Sequence, residues 1–176
     1  MSGAKFGGTN FAQAHLDNVT VDLKALLDHR RRGQSKAFLS QLTRLPQRDF
    51  RNWNFQDYDL SKIDITGSNL AGVNLRRADL RGVNAGLADF RGARLEQIFF
   101  DMVKANGADF RSSRLNKVFF RRSQLKDVDF RFAVHTGVAF GGSTIENPRI
   151  EGARVLGAKL NNTKLIGTTL KSLQSP

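Results

Sequence analysis

The sequence predicts an all-β solenoid with four sides, and three observations predict it. Every fifth residue from Phe50 to Leu170 gives 25 positions, of which 24 are apolar and His135 is the exception. Apolar residues make up 40% of the chain, so chance does not produce this column. The position two before each of these is small or β-branched from Ile63 onward. The tripeptide Asp-Phe-Arg stands at Asp49–Arg51 and returns at Asp89–Arg91, Asp109–Arg111 and Asp129–Arg131, on a 20-residue interval with one skipped slot at Asn69–Ala71.

A period of five fits neither a helix at 3.6 nor a long strand at 2.0. It fits a short extended stretch followed by a turn. Strand side chains alternate, so residues i−2 and i share one face, and both are apolar here. Two residues after the central position Gly occurs ten times, from Gly67 and Gly72 to Gly157 and Gly167, where a corner needs backbone freedom. Immediately before it stands Asp or Asn at many repeats, including Asp59, Asp64, Asn74, Asp79 and Asn84, residues that bond nearby backbone groups in turns. Four such units make one coil, which explains the 20-residue return of Asp-Phe-Arg. Folding the sequence on this interval stacks Phe90, Phe110 and Phe130 on one side, and Phe100, Phe120 and Phe140 on the opposite side. Leu75, Leu95 and Leu115 form a third column, and Ala85 and Ala105 leave room on the fourth for the paired phenylalanines.

The run from Asn69 to Gly82, NLAGVNLRRADLRG, resembles the pentapeptide-repeat family, whose consensus is A(D/N)LXX. The resemblance covers roughly residues 48–172. It implies a right-handed quadrilateral β-helix, with i and i−2 inward and the other three positions outward. It implies little about activity, since most members have none assigned. The best-known relatives act on DNA gyrase by imitating duplex DNA, which takes an acidic surface. This chain has a net charge of +12, so gyrase modulation is the weakest reading.

The organisation is read as one domain in three parts. Residues 1–23 form a displaced N-terminal coil, with Phe6, Phe11, Leu16 and Val21 spaced by five. Residues 24–42 are an insertion with helix-like spacing at Leu23, Leu26 and Leu27 and at Phe38, Leu39 and Leu42. Residues 43–176 are the main solenoid. Trp53 and Tyr58 are expected to be too large for the inward i−2 slot and to pack against the insertion. At the other end the repeat runs to Leu170 with no amphipathic helix to cover the last rung. A bare rung exposes strand edges, so end-to-end homodimerisation through the C-terminal coil is expected there.

Three sets of residues are candidate contact sites. Arg51, Arg91, Arg94, Arg111, Arg114 and Arg131 form an anion-binding stripe if their charges are free; the alternative is that the Asp ladder beside them compensates the Arg ladder. Arg30, Arg31, Arg32 and Lys36 form a basic loop within the insertion, read either as a solvated turn or as a contact with an acidic partner. Phe99 and Phe119 occupy the outward slot where Asp or Asn is usual, with Met102 nearby, and mark an apolar contact.

The composition narrows the function. Cysteine is absent and the three histidines are scattered, so thiolate chemistry and metal-ligand spacing are both missing. His135 falls in an inward slot, where a core histidine with a hydrogen-bond partner is expected. No cofactor motif occurs and no catalytic constellation is legible, so the expected class is a non-enzymatic binding module. The sequence has no 18-residue apolar stretch and no signal-peptide pattern, so no membrane span is expected, and the expected location is the cytoplasm or export without a classical signal. The basic balance calls for an anionic partner: an acidic protein first, nucleic acid as the alternative.

Overall fold

The structure is a computed structural model and describes residues 47–168. The expected N-terminal coil, the insertion with its basic loop Arg30, Arg31, Arg32 and Lys36, and the last residues from 169 onward lie outside the described residues. What is described is a four-sided β-helix in which residue n lies beneath residue n+20. Parallel bridges run from Asp49 to Asn69 to Asp89 to Asp109 to Asp129 to Arg149 without a slip in register.

The inward columns follow the five-residue clock. Phe90 and Phe110 stack at 4.8 Å and Phe110 and Phe130 at 5.3 Å; Phe100 and Phe120 stack at 5.2 Å and Phe120 and Phe140 at 5.5 Å. The two stacks meet edge to face across the interior, with Phe90 and Phe100 at 5.7 Å and 86°. That is the favoured geometry for aromatic quadrupoles. Ala85 and Ala105 on the fourth side are fully buried, as the space beside the rings requires.

All corners are left-handed. Every fifth residue from Gln47 to Gly167 has positive φ, and only ten of these are glycine while fifteen are not. The non-glycine corners cost about 1 kcal/mol each, and the stacked ladder over-determines them. The Asp and Asn residues before each central position do what their chemistry suggests. Asp89 Oδ1 accepts the Arg91 N–H at 3.0 Å and Asn69 Oδ1 accepts the Ala71 N–H at 3.1 Å. Where Phe119 or Gln124 holds that position, the acceptor comes from the coil below: Asp101 Oδ1 takes the Arg121 N–H and Asn106 Oδ1 the Lys126 N–H, both at 3.0 Å.

Regular strands form on two of the four sides. β1 (Arg114–Asn116), β3 (Val134–Thr136) and β5 (Arg154–Leu156) make one parallel sheet; β2 (Gln124–Lys126), β4 (Thr144–Glu146) and β6 (Lys164–Ile166) make the other. In the first coils the matching corners are closed turns, such as Tyr58 N–H to Phe55 O at 3.1 Å and Ala78 N–H to Leu75 O at 3.0 Å. A column of buried hydroxyls closes another opened corner. The Val103 N–H donates to Ser123 Oγ at 3.1 Å, and Ser123 Oγ donates on to Phe100 O at 3.0 Å. Ser143 repeats the bridge between the Ser123 N–H and Phe120 O. These serines sit in the inward slot because they satisfy backbone groups, not only because they are small.

Two expectations are corrected, while packing of Trp53 and Tyr58 on the insertion lies outside the described residues. Tyr58 is buried in the inward slot itself, packed on Phe55 at 5.7 Å, and Trp53 lies half-buried against Phe50 at 5.4 Å. The slot takes them because the residue one coil above each is smaller, Ala78 and Val73. His135 is in the core but has no hydrogen-bond partner at either ring nitrogen. It stands in the leucine column between Leu115 and Val155, edge-on to Phe130 at 4.9 Å, where no polar group faces it. Burial pushes its pKa down to about 4, so the ring is neutral near neutral pH.

Candidate partner-binding surfaces

The Asp-Phe-Arg side brings the predicted arginines into one vertical row and closes their charges. Arg91 donates from Nε to Asp89 Oδ1 at 2.9 Å and from Nη2 to Oδ2 at 2.7 Å. Arg51, Arg111 and Arg131 repeat the same fork on Asp49, Asp109 and Asp129. Weaker contacts join the rungs, Arg91 to Asp109 at 3.8 Å and Arg111 to Asp129 at 3.7 Å. Burial alone would raise the Asp129 carboxyl; the hydrogen bonds from Arg131 and the charges of Arg131 and Arg111 outweigh it and hold the pKa below 3.8. Asp89 is held down in the same way by Arg91 and Arg111. With Nε and one Nη2 hydrogen engaged, each arginine keeps only its end-on N–H groups for a ligand, and its charge is offset by its own aspartate.

Around the corner the situation reverses. Arg94 and Arg114 bridge each other directly, one coil apart, and are exposed. Among the described residues neither has an ion pair. Their column continues as Val134 and Arg154 in β3 and β5. The outward residues of β1, β3 and β5 are Arg114, Asn116, Val134, Thr136, Arg154 and Leu156, with no acid among them. On the other sheet, Lys126 of β2 is paired with Glu146 of β4 at 3.0 Å.

The apolar candidate is less open than the sequence implies. Phe99 and Phe119 stack at 5.3 Å and 13°. The stack has guanidinium groups at both ends, Arg81 5.9 Å from the Phe99 ring and Arg121 5.0 Å from the Phe119 ring. Arg121 is itself held by Asp101 through Nε at 2.9 Å. Each ring thus has a guanidinium near one face, while Phe99 remains 41% exposed. Met102 is exposed because it is a left-handed corner residue, like Leu87 and Phe132.

Sequence reasoning missed Phe132, Val134, Arg154 and Leu156. Phe132 carries a signal that was available: a bulky corner residue with glycine 20 positions later. Its ring lies over Gly152, where an added Cβ would come within 2.6 Å of Cδ1, and Leu87 lies over Gly107 in the same way.

No helix among the described residues is long and apolar enough to cross a membrane. None of the curated proteins matches the chain. Among solved structures, a pentapeptide repeat protein from the Arabidopsis thaliana thylakoid lumen is similar at 20% identity and a TM-score of 0.41, over 65% of this chain and 66% of that one, just under two thirds of its length. Rfr23 from the cyanobacterium Cyanothece 51142 is similar at 15% identity and a TM-score of 0.32, over 72% of this chain and 94% of that one. HetL, involved in heterocyst differentiation regulation in Nostoc sp. strain PCC 7120, is similar at 16% identity and a TM-score of 0.29, over 84% and 94%. The family description "Pentapeptide repeats" matches residues 59–97 and 106–134 in eight copies. These spans fall within the stacked, in-register coils: residues 59–97 and 106–134 are pentapeptide repeats, and the described residues form the right-handed quadrilateral β-helix that such repeats build.

Proposed function

We propose that this chain is a non-enzymatic interaction scaffold whose partner is an acidic protein surface. One observation carries the reading: among the described residues Arg94, Arg114 and Arg154 stand without an ion pair on the side that ends in β1, β3 and β5, while the Asp-Phe-Arg side is internally compensated. The free pair Arg94 and Arg114 is the part of the predicted stripe that remains available. Binding of an acidic polypeptide such as polyglutamate to wild type and to R94Q/R114Q tests it. The double variant is expected to bind several-fold more weakly, and equal binding would count against the reading.

Nucleic acid is the second reading, supported by the same cations. Duplex DNA binding through them falls with salt at a slope of about −0.9 per phosphate neutralised. Loss of DNA retention in R94Q/R114Q would favour it; indifference to duplex DNA at low salt would remove it. A homodimer is supported by the last described coil, where Ile150, Leu160 and Leu165 are only half-buried although their columns are fully covered lower down. Light scattering on wild type and Leu165→Lys tests that: a dimer that becomes a monomer supports it, and a wild-type monomer refutes it.

A further inference from the structure

We propose that the sheet of β1, β3 and β5 carries a docking site for a short acidic protein segment with an apolar residue between its acids, seated on Val134 between Arg114 and Arg154. The inference rests on the scaffold reading above and names the site and the recognition element within it.

Register places the parts. Arg114, Val134 and Arg154 are consecutive Cα partners up one column, so the two arginines start about 10 Å apart with valine midway. Val134 is 42% exposed. It is flanked by Phe132 at the preceding corner, 63% exposed, and Leu156 at the far end of the next rung, 61% exposed. Phe132 is held over Gly152 and so leans towards the rung that holds Arg154 and Leu156. Three exposed apolar side chains on neighbouring rungs start a patch, where single ones would need no explanation.

The backbone offers a ligand nothing, which fixes the mode of contact. The Val134 N–H is bonded to Ser113 O at 3.0 Å and the Arg154 N–H to Ala133 O at 2.9 Å, along the solenoid axis. A partner strand has no free edge to join on this side. Recognition rests on side chains: an apolar centre on Val134, Phe132 and Leu156, with arginine above and below as a charged rim. In an extended segment alternate side chains face one way, so an acid–x–apolar–x–acid pattern sets its carboxylates about 13 Å apart, within reach of both arginines. Duplex DNA fits less well. Its phosphate row rewards an unbroken line of cations, and here valine interrupts the line and would be buried against charge.

The test is an NMR titration of the full chain with two peptides of equal charge, Glu-Glu-Ser-Leu-Ser-Glu-Glu and the same peptide with Ser for Leu. The leucine peptide is expected to bind at least about five-fold tighter, with shifts centred on Arg114, Val134, Thr136 and Arg154. V134S should erase the preference, and R114Q/R154Q should weaken both peptides; a circular-dichroism melt of each variant shows that the fold is kept. Equal binding of the two peptides, with shifts spread over all the basic residues, overturns the site and leaves the acidic-partner reading standing. Absence of binding by both peptides overturns both. A short duplex DNA that shifts the same residues at lower concentration than the leucine peptide overturns the assignment to a protein partner.

Discussion

Two adjacent sides of the same solenoid use arginine in opposite ways. On the Asp-Phe-Arg side, each guanidinium is forked onto an aspartate two residues earlier, and the rungs are laced together by further contacts near 3.8 Å. On the neighbouring side, Arg94, Arg114 and Arg154 rise from the outward slot that elsewhere holds the aspartate; no acid stands on β1, β3 or β5, and Glu96 on the Arg94 rung is taken by Arg76 at 2.7 Å. A shift of two positions within the repeat decides this. Arginine after the central residue meets its own aspartate; arginine before it displaces that aspartate. A stack of arginines therefore counts as a binding surface only after its partners are known.

The comparison can be pressed from the largest effect to the smallest. The cores behind the two sides should be equally intolerant. Phe110→Ala, behind the paired side, should cost about 3–5 kcal/mol, and Leu115→Ala, behind the unpaired one, about 2–5 kcal/mol, measured by denaturant midpoints. Near-neutral stability after either would mean the coils are not packed as described.

Acid should separate the sides. His135 lies behind the unpaired side with its folded pKa near 4, against 6.5 in the unfolded chain. Between those values the unfolded chain holds a proton that the folded chain lacks. Stability should therefore fall as pH drops from 6.5 to about 4, by about 3 kcal/mol in all. His135→Leu should remove that slope and add about 1–3 kcal/mol at neutral pH, because the unsatisfied ring nitrogens go with it. The paired side should hold on longer. Asp129 is kept below 3.8, so its contribution is present above that value and is lost only as pH falls further. Stability curves of wild type, H135L and D129N against pH would show two separate windows; a single shared window would contradict the assignment.

A corner column shared by the two sides gives a finer contrast. Gly92 and Gly152 both have positive φ, but an added Cβ at Gly92 meets nothing within 4 Å whereas at Gly152 it meets the Phe132 ring. Gly92→Ala should cost about 1 kcal/mol from backbone strain alone. Gly152→Ala should cost more and displace Phe132, visible as a change in that residue's NMR shifts.

The fold was legible because the period of five is carried by the core, where burial leaves few alternatives. The Phe stacks, the alanine spacers and the turn-forming Asp and Asn all follow from the column in which each residue falls. His135 was assigned to the right column but given a partner it does not have, since nothing in a sequence says which groups face a side chain from other coils. The same gap hid the role of Ser123, whose bonds reach back to Phe100 and Val103. For the surface, the sequence supplied the right arginines but not their state of pairing. That state depends on a fork closed within one rung, and geometry at that scale is set by the left-handed corner that follows. The sequence marks Phe99 and Phe119 as an apolar contact but not the guanidinium groups beside them, since Arg81 and Arg121 reach the rings from 18 and 2 positions away.

The most direct measurement compares two double variants side by side: affinity for an acidic peptide of R91Q/R111Q, on the paired side, and of R114Q/R154Q, on the unpaired side. Both lose the same formal charge, so long-range attraction falls equally. The account expects R114Q/R154Q to bind several-fold more weakly than R91Q/R111Q, with stability within about 0.5 kcal/mol of wild type. If R91Q/R111Q loses as much affinity as R114Q/R154Q, or more, the distinction between compensated and available arginines is wrong.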